Sequence, residues 1–394
     1  MAYFVLLFAL FIQTTISIEK GLRDDWITHF IRINTNREND AIINNMFEVK
    51  GGEVNCNLID SGSLEPFHAA SSIPDCKFAL PKYIAPRQPN RNLKKQIIPR
   101  TIFMSWKTNM IGFNQYTSIR KWLIDNPEYE FFFFDDSDVQ SFMCNYFPTF
   151  IYLAYSILIP GAAKIDMWRY GIVYTYGGIY LDVDSGSKVP LSEVVWPNAS
   201  VTAGSGGGDF NQWMLIFAPK HPVLKASIRL SAKRVLINYL QRSYDFIHTL
   251  TGPACLTKAF NTLLREAKCD HTLWNRKIKR KGAFVNLRYD TSDPSLAYYC
   301  NELLGVVQLY KEDYMGYTVL FKVDGVTRDM AEDGYVRYES QHEKHETLYS
   351  YLPVTDTVSR HNTTMYKVNK CYIQQGKLVD MYVSNMTLKK LPKR

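Results

Sequence analysis

The stretch from Ala162 to Asp184 constrains this chain more than any other. Ala162–Tyr176 carries no proline and reads as a helix. Gly177-Gly178 ends it, as glycine does where the backbone must turn left-handed. Ile179-Tyr180-Leu181 then reads as a very short strand running straight into Asp182-Val183-Asp184. The same alternation appears on either side. Ile97–Met104 and Tyr129–Phe134 are apolar runs of buried-strand length. Between them Thr117–Ile124 reads as a helix that stops before Asn126-Pro127, and Ser137 is placed to cap the next one. Downstream, Trp213–Ala218 and Leu303–Leu309 read as strands, and Val223–Leu240 and Pro253–Ala267 as helices. Strands alternating with helices predict an α/β domain with a largely parallel sheet.

With 46 % hydrophobic residues in 394, the chain has the apolar material for a substantial core, which excludes wholesale disorder. A net charge of +8 is modest for that length and gives no reason to expect a nucleic-acid partner. Tyr3–Ile12 is an apolar run well short of the roughly 20 residues a membrane span needs. It reads as a secretory signal over residues 1–17, with a short type II anchor as the alternative. Sequons at Asn198, Asn362 and Asn385 agree with a secretory route. None of the seven cysteines has metal-site spacing. In an oxidising lumen some pair and at least one stays free, with Cys56–Cys76 and Cys255–Cys269 the nearest-neighbour choices. Residues 18–95, where Ile42-Ile43 and Phe47 suggest a short helix, read as an extension packing on a main domain of residues 96–394.

The chemistry concentrates around Asp182 and Asp184. Side chains two apart along a strand share a face, so both carboxylates converge on one ligand at the strand end. Hard divalent cations take oxygen ligands, and Mg²⁺ or Mn²⁺ is held by one or two carboxylates together with substrate phosphates. The alternative is a turn carrying two solvated acids. Asp166 and Arg169, spaced i, i+3, share a helix face. They form either an ordinary surface pair or a polar recognition pair, the carboxylate accepting from sugar hydroxyls and the guanidinium holding phosphate or hydroxyl oxygens.

The run from Ala163 through Asp166, Arg169, Gly177-Gly178 and Tyr180 to Asp182-Val183-Asp184, followed by Val189-Pro190-Leu191, resembles the family 32 glycosyltransferases with a DxD sugar-binding region. These include yeast-type initiating α-mannosyltransferases and mannosyl-sphingolipid synthases, and the clostridial glucosylating toxins carry a related core. Ile98–Thr108 is similar to the family's opening strand, and Trp122 with Asn126-Pro127 and Tyr129–Asp136 to its second helix–strand unit. Lys220-His221-Pro222 and Thr251-Gly252-Pro253 resemble its downstream markers, and the match runs over residues 97–260. The resemblance implies a GT-A fold, a Rossmann-like mixed sheet flanked by helices, using a nucleotide-sugar donor and Mn²⁺ or Mg²⁺. It implies that Asp184 ligates the metal and that Asp182 contacts ribose or the metal shell. By the same resemblance Asp166 and Arg169 hold the donor, Tyr180 lies beside it, and Trp106 stacks on the base. It also implies transfer with retention, from GDP-mannose or a UDP-hexose to a glycan or glycolipid, in the ER–Golgi lumen. Membrane contact would come only through an N-terminal anchor.

The chain departs from the family at Phe103-Met104, where a His-Gln pair is usual, and near the C-terminus. There His361 is the candidate to complete the metal shell, or else a solvated side chain beside the Asn362 sequon. Ser205–Asp209 reads either as a loop closing over the donor or as a plain surface turn. Two other classes compete. Ile179–Asp184 also resembles the opening strand of haloacid dehalogenase phosphatases, with Asp182 as nucleophile, although Gly186 replaces that family's usual Thr or Val. A non-catalytic secreted sugar-binding relative is the other alternative.

Overall fold

The computed structural model describes residues 23–34, 77–89, 93–187, 189–206, 209–241, 246–269, 274–278, 284–289, 294–311 and 320–322. In chain order its first elements are α1 (Arg23–Asn34), β1 (Lys77–Ala79), β2 (Tyr83–Ile84), β3 (Thr101–Ser105), β4 (Met110–Gly112), α2 (Phe113–Asp125) and β5 (Glu130–Phe134). Next come α3 (Asp136–Tyr146), α4 (Thr149–Ile157), α5 (Gly161–Tyr176), β6 (Gly178–Leu181), β7 (Ser185–Ser187), α6 (Leu191–Val194) and β8 (Ala199–Gly206). After these follow β9 (Asp209–Phe210), β10 (Met214–Phe217), α7 (Pro222–Gln241), α8 (Ile247–Leu250) and α9 (Pro253–Glu266). The last are β11 (Trp274–Ile278), β12 (Phe284–Tyr289), α10 (Pro294–Leu304), β13 (Val306–Lys311) and β14 (Leu320–Lys322).

The main sheet has ten strands in the order β11-β12-β13-β8-β10-β6-β3-β5-β2, with β9 hydrogen-bonded to β8. β6, β3 and β5 are parallel, as expected, but β10 runs antiparallel to both β6 and β8, so the sheet is mixed rather than largely parallel. An apolar run announces a buried strand without announcing its direction, and Met214–Phe217 is such a run. The α/β class with helices over a mixed sheet is borne out.

Each central strand is buried on both sides, and alternate residues feed two core layers. Phe103, Phe132, Phe134, Tyr180 and Leu215 point into one layer, beneath α3, α4, α5 and α7. Ile102, Met104, Phe131, Phe133, Ile179 and Leu181 point into the other, which takes Ile119, Trp122 and Leu123 of α2. α5 is buried nearly all round, and at Gly171 it packs closely, since a Cβ there would sit 2.7 Å from the Phe147 ring. Gly177 closes α5 with φ 69°, its N–H donating to the Val173 carbonyl at 2.8 Å, and Gly178 opens β6 with φ 100°. Both angles lie in the region that favours glycine.

Within residues 18–95, β2 pairs with β5 at the sheet edge, and Phe30 of α1 stacks on Phe134 with ring centroids 4.9 Å apart. The Ile42–Phe47 helix, the Tyr335–Tyr351 segment and the Tyr3–Ile12 run lie outside the described residues. Among the described residues no helix is long and apolar enough to cross a membrane. Three local expectations need correction. The cap of α3 is Asp135, not Ser137, because the Asp135 carboxylate accepts from the backbone N–H groups of Ser137 and Asp138. The first residues of the Leu303–Leu309 segment finish α10, and Gly305 with φ 65° turns the chain into β13. Cys269 pairs with Cys300 rather than Cys255, which is a buried free thiol at the start of α9. The Cys56–Cys76 pairing lies outside the described residues.

Candidate functional site

β6 stops at Leu181, so the two acids sit on a turn rather than on the strand itself. The Asp182 carbonyl accepts from the Ser185 N–H at 3.1 Å and from the Ser185 hydroxyl at 2.6 Å, closing the turn Asp182–Ser185. The Asp182 N–H donates to the Trp213 carbonyl at 2.9 Å, which anchors the start of the turn to the approach of β10. Both carboxylates are half-buried, at the carboxyl ends of the parallel strands, where α/β sheets bind ligands.

α5 brings Asp166 and Arg169 to the same place. The Arg169 guanidinium lies 3.5 Å from Asp166 Oδ1 and 3.2 Å from Asp182 Oδ1, and 4.5 Å over the ring of Tyr180. Its Nη1 donates to the Gln212 carbonyl at 3.0 Å. The Tyr180 hydroxyl donates to Asp182 Oδ1 at 2.6 Å. Asp166 is completed by two side chains far along the chain: Gln212 Nε2 donates to its Oδ1 at 2.5 Å and the Thr251 hydroxyl to its Oδ2 at 2.8 Å. Tyr170 holds Gln212 in turn, donating to its Oε1 at 2.5 Å. A surface pair is therefore excluded for Asp166 and Arg169: both are buried, and one guanidinium spans two carboxylates.

Burial dominates the electrostatics. It pushes the Asp166 carboxyl up to about 6, against the pull of Arg169, Thr251 and Gln212 and with the nearby Asp182 charge adding to the rise. Burial works against the Arg169 charge, but Asp182, Tyr180 and Asp166 outweigh it and hold the guanidinium firmly protonated. Arg169 Nε is nonetheless buried without a hydrogen-bond partner among the described residues. An unmet guanidinium donor of that kind suits a phosphate or hydroxyl oxygen brought by a ligand.

Among the described residues no group of three or more His, Cys, Asp or Glu could hold a metal by itself. Two carboxylates on one turn still fit a hard cation that arrives with a diphosphate supplying the remaining oxygens. His361 lies outside the described residues. Trp106 follows β3 and is buried in the core layer on the face opposite Tyr180, so the structure does not bring it to the Arg169 network. In the Ser205–Asp209 segment, Ser205 and Gly206 end β8 and pair with Phe210 and Asp209 of β9, while Gly207 and Gly208 lie outside the described residues.

The comparisons bear directly on this turn. Residues 112–201, from α2 through α5 and the acidic turn to β8, match the family described as "Glycosyltransferase sugar-binding region containing DXD motif". This stretch is similar to a DXD glycosyltransferase region. The resemblance carried by Ala163–Asp184 is borne out. The chain is also similar to curated proteins. The chain is 33 % identical over 180 residues to inositol phosphoceramide mannosyltransferase 3 of Schizosaccharomyces pombe, covering 45 % of this chain and 49 % of that protein. It is 31 % identical over 159 residues to mannosyl phosphorylinositol ceramide synthase CSH1 of Saccharomyces cerevisiae, covering 40 % and 41 %. The chain thus spans about half the length of the curated relatives it matches. A solved structure titled PaToxG Glycosyltransferase aligns at 18 % identity with a TM-score of 0.35, over 43 % of this chain and 70 % of that one.

Gln212, Thr251 and Tyr170 are site residues that the sequence reading did not single out for a role. Thr251 stood in a quoted marker, and Gln212 stands just ahead of the Trp213–Ala218 strand. Neither position carries a signal of its own that it reaches Asp166.

Proposed function

We propose that the protein is a metal-dependent retaining glycosyltransferase of the secretory pathway. It moves a hexose from GDP-mannose or a UDP-hexose to a glycan or glycolipid, and mannosyl transfer to a glycolipid is the first case to test because the curated relatives are named for it. The observation that carries the reading is the buried Asp166–Arg169–Asp182 network at the carboxyl ends of β3 and β6. Asp166 accepts from sugar hydroxyls with lone pairs that Gln212 and Thr251 leave over, and Arg169 Nε meets a donor oxygen. Asp184, with Asp182 beside it, would hold Mn²⁺ or Mg²⁺. When bound, that cation supplies charge neutralisation on the leaving diphosphate. The Tyr180 hydroxyl and Arg169 keep Asp182 oriented and compensated. An Asp182 so engaged is poorly placed to act as a phosphatase nucleophile. No side chain stands out as a covalent nucleophile either, so attack from the leaving-group face, with the departing phosphate taking the acceptor proton, accounts for retention. The domain runs over residues 96–394, with 18–95 as an extension on its edge. The apolar N-terminal run, the sequons and the Cys269–Cys300 disulfide support a luminal location.

The test is nucleotide release from a panel of GDP- and UDP-sugars with Mn²⁺, with and without EDTA, for the wild type and Asp184→Ala. One donor should be hydrolysed in a metal-dependent way. Asp184→Ala should lower the rate by about a hundredfold or more while circular dichroism shows the fold intact. Wild-type turnover in Asp184→Ala refutes the assignment. Donor binding without release, with or without acceptor, supports the non-catalytic alternative.

A further inference from the structure

Three residues on one stripe of α2 and its end bury a polar group, Ser118 and Asn126 as polar side chains and Trp122 through its indole N–H, spaced i, i+4, i+8. A helix stripe facing a core is normally apolar, and burying polar groups there is costly unless each finds a partner. All three find theirs at the end of the acidic turn or just beyond it. The Ser118 hydroxyl donates to the Ser185 carbonyl at 2.6 Å, and Trp122 Nε1 donates to the same carbonyl at 2.8 Å. Asn126 accepts from the Leu191 N–H at 2.7 Å and donates to the Trp122 carbonyl at 2.8 Å. Ser185 is itself the residue whose N–H and hydroxyl close the turn on the Asp182 carbonyl. The turn bearing both acids is thus fixed at one end to Trp213 and at the other to α2.

We propose that Ser118 and Trp122 are positioning residues for the Asp182–Asp184 turn. Both donate to the Ser185 carbonyl and so hold the carboxylates in the geometry that binds a divalent cation; the inference rests on the metal-dependent reading above. Asn126 carries the same anchorage on to the start of α6. Neither residue touches the cation or donor.

The experiment measures Mn²⁺ affinity of the purified protein by electron paramagnetic resonance, with GDP or UDP present, alongside thermal melting. Its variants are Ser118→Ala, Trp122→Phe and the double variant. Each single change removes one side-chain donor from the Ser185 carbonyl and should weaken Mn²⁺ binding by about threefold. The double change removes both side-chain donors from that buried carbonyl, and should weaken it by about tenfold or more. Phe142→Leu, in the other core layer, is the control: it lowers the melting temperature and leaves Mn²⁺ affinity unchanged. If the double variant fails to fold, the two single variants decide. Wild-type Mn²⁺ affinity in folded Trp122→Phe and Ser118→Ala overturns the proposal, as does an equal loss of affinity in Phe142→Leu. No Mn²⁺ binding by the wild type with either nucleotide overturns the metal reading itself, and the proposal falls with it.

Discussion

Asp166→Asn should make the protein more stable at neutral pH while disabling it. The native carboxyl is held at about 6, against a reference of 3.8 in the unfolded chain. The native state therefore keeps its proton to higher pH than the unfolded state does. Between about pH 4 and 6 the unfolded chain binds fewer protons than the native one, so this group lowers stability as pH rises. At about 1.36 kcal/mol per unit, a rise of roughly two units costs about 3 kcal/mol once the carboxylate is ionised. Asparagine mimics the neutral acid. It can accept from Gln212 Nε2 and donate to the Thr251 oxygen, whose own proton can turn to the Ile247 carbonyl 3.4 Å away. The gain over wild type should be near zero at pH 4 and rise to about 3 kcal/mol at pH 7. Guanidinium unfolding of both proteins at pH 4, 5, 6 and 7 reads it as a growing separation of midpoints at constant slope. The KM for donor should rise sharply in the same variant, because the neutral amide binds sugar hydroxyls less strongly than the ionised carboxylate does. A variant less stable than wild type at pH 7, with no pH-dependent gain, would show that Asp166 is not paying for its burial.

His221 should show the mirror image. Burial holds its imidazole at about 4, below the ordinary 6.5, so the native state resists protonation and His221 removes stability as pH falls through that window. In His221→Gln the amide can still donate to the Leu304 carbonyl that now accepts from Nε2 at 3.0 Å. The variant should gain on wild type by about 3 kcal/mol between pH 7 and pH 4, opposite in direction to Asp166→Asn, and the same unfolding series checks it. A flat difference between the two proteins would mean that His221 is not held neutral. Gly178→Ala forces an alanine to φ 100° and sets its Cβ 2.7 Å from the Thr101 carbonyl oxygen. It should cost about 2–4 kcal/mol, read from the unfolding midpoint, and a loss under about 1 kcal/mol would show that β6 can shift.

Several elements were legible because one local pattern dictated each. Glu130–Phe134 is apolar at four consecutive positions, and only a strand buried on both faces satisfies all four. Gly177-Gly178 marked the helix-to-strand joint, and both adopt the positive φ that glycine permits. The direction of β10 was not legible, because strand direction is set by partners that the run does not contain. Cys269 was closer in sequence to Cys255, but α9 buries Cys255 while the chain beyond it returns Cys300 to Cys269. Sequence proximity says little about which two Cβ atoms meet.

The site divides along the same line. Asp166, Arg169, Tyr180, Asp182 and Asp184 lie within one helix–strand unit: periodicity paired Asp166 with Arg169 and Asp182 with Asp184, and the family resemblance joined the pairs and added Tyr180. That unit alone, however, would leave Asp166 and Arg169 as an ordinary i, i+3 pair of little worth. The pair gains its character from residues 46 and 85 positions further on, Gln212 and Thr251, which satisfy the Asp166 oxygens and make its burial tolerable. The turn gains its rigidity from Ser118 and Trp122, 67 and 63 positions before the carbonyl they hold. Local sequence thus names the groups that would touch the donor, and the long-range hydrogen bonds decide whether those groups are solvated or preorganised. Preorganisation is what distinguishes a catalytic acidic pair from two aspartates on a surface turn. It was invisible in the chain because no local pattern shows that Gln212 and Thr251 reach Asp166 or that Ser118 and Trp122 reach Ser185.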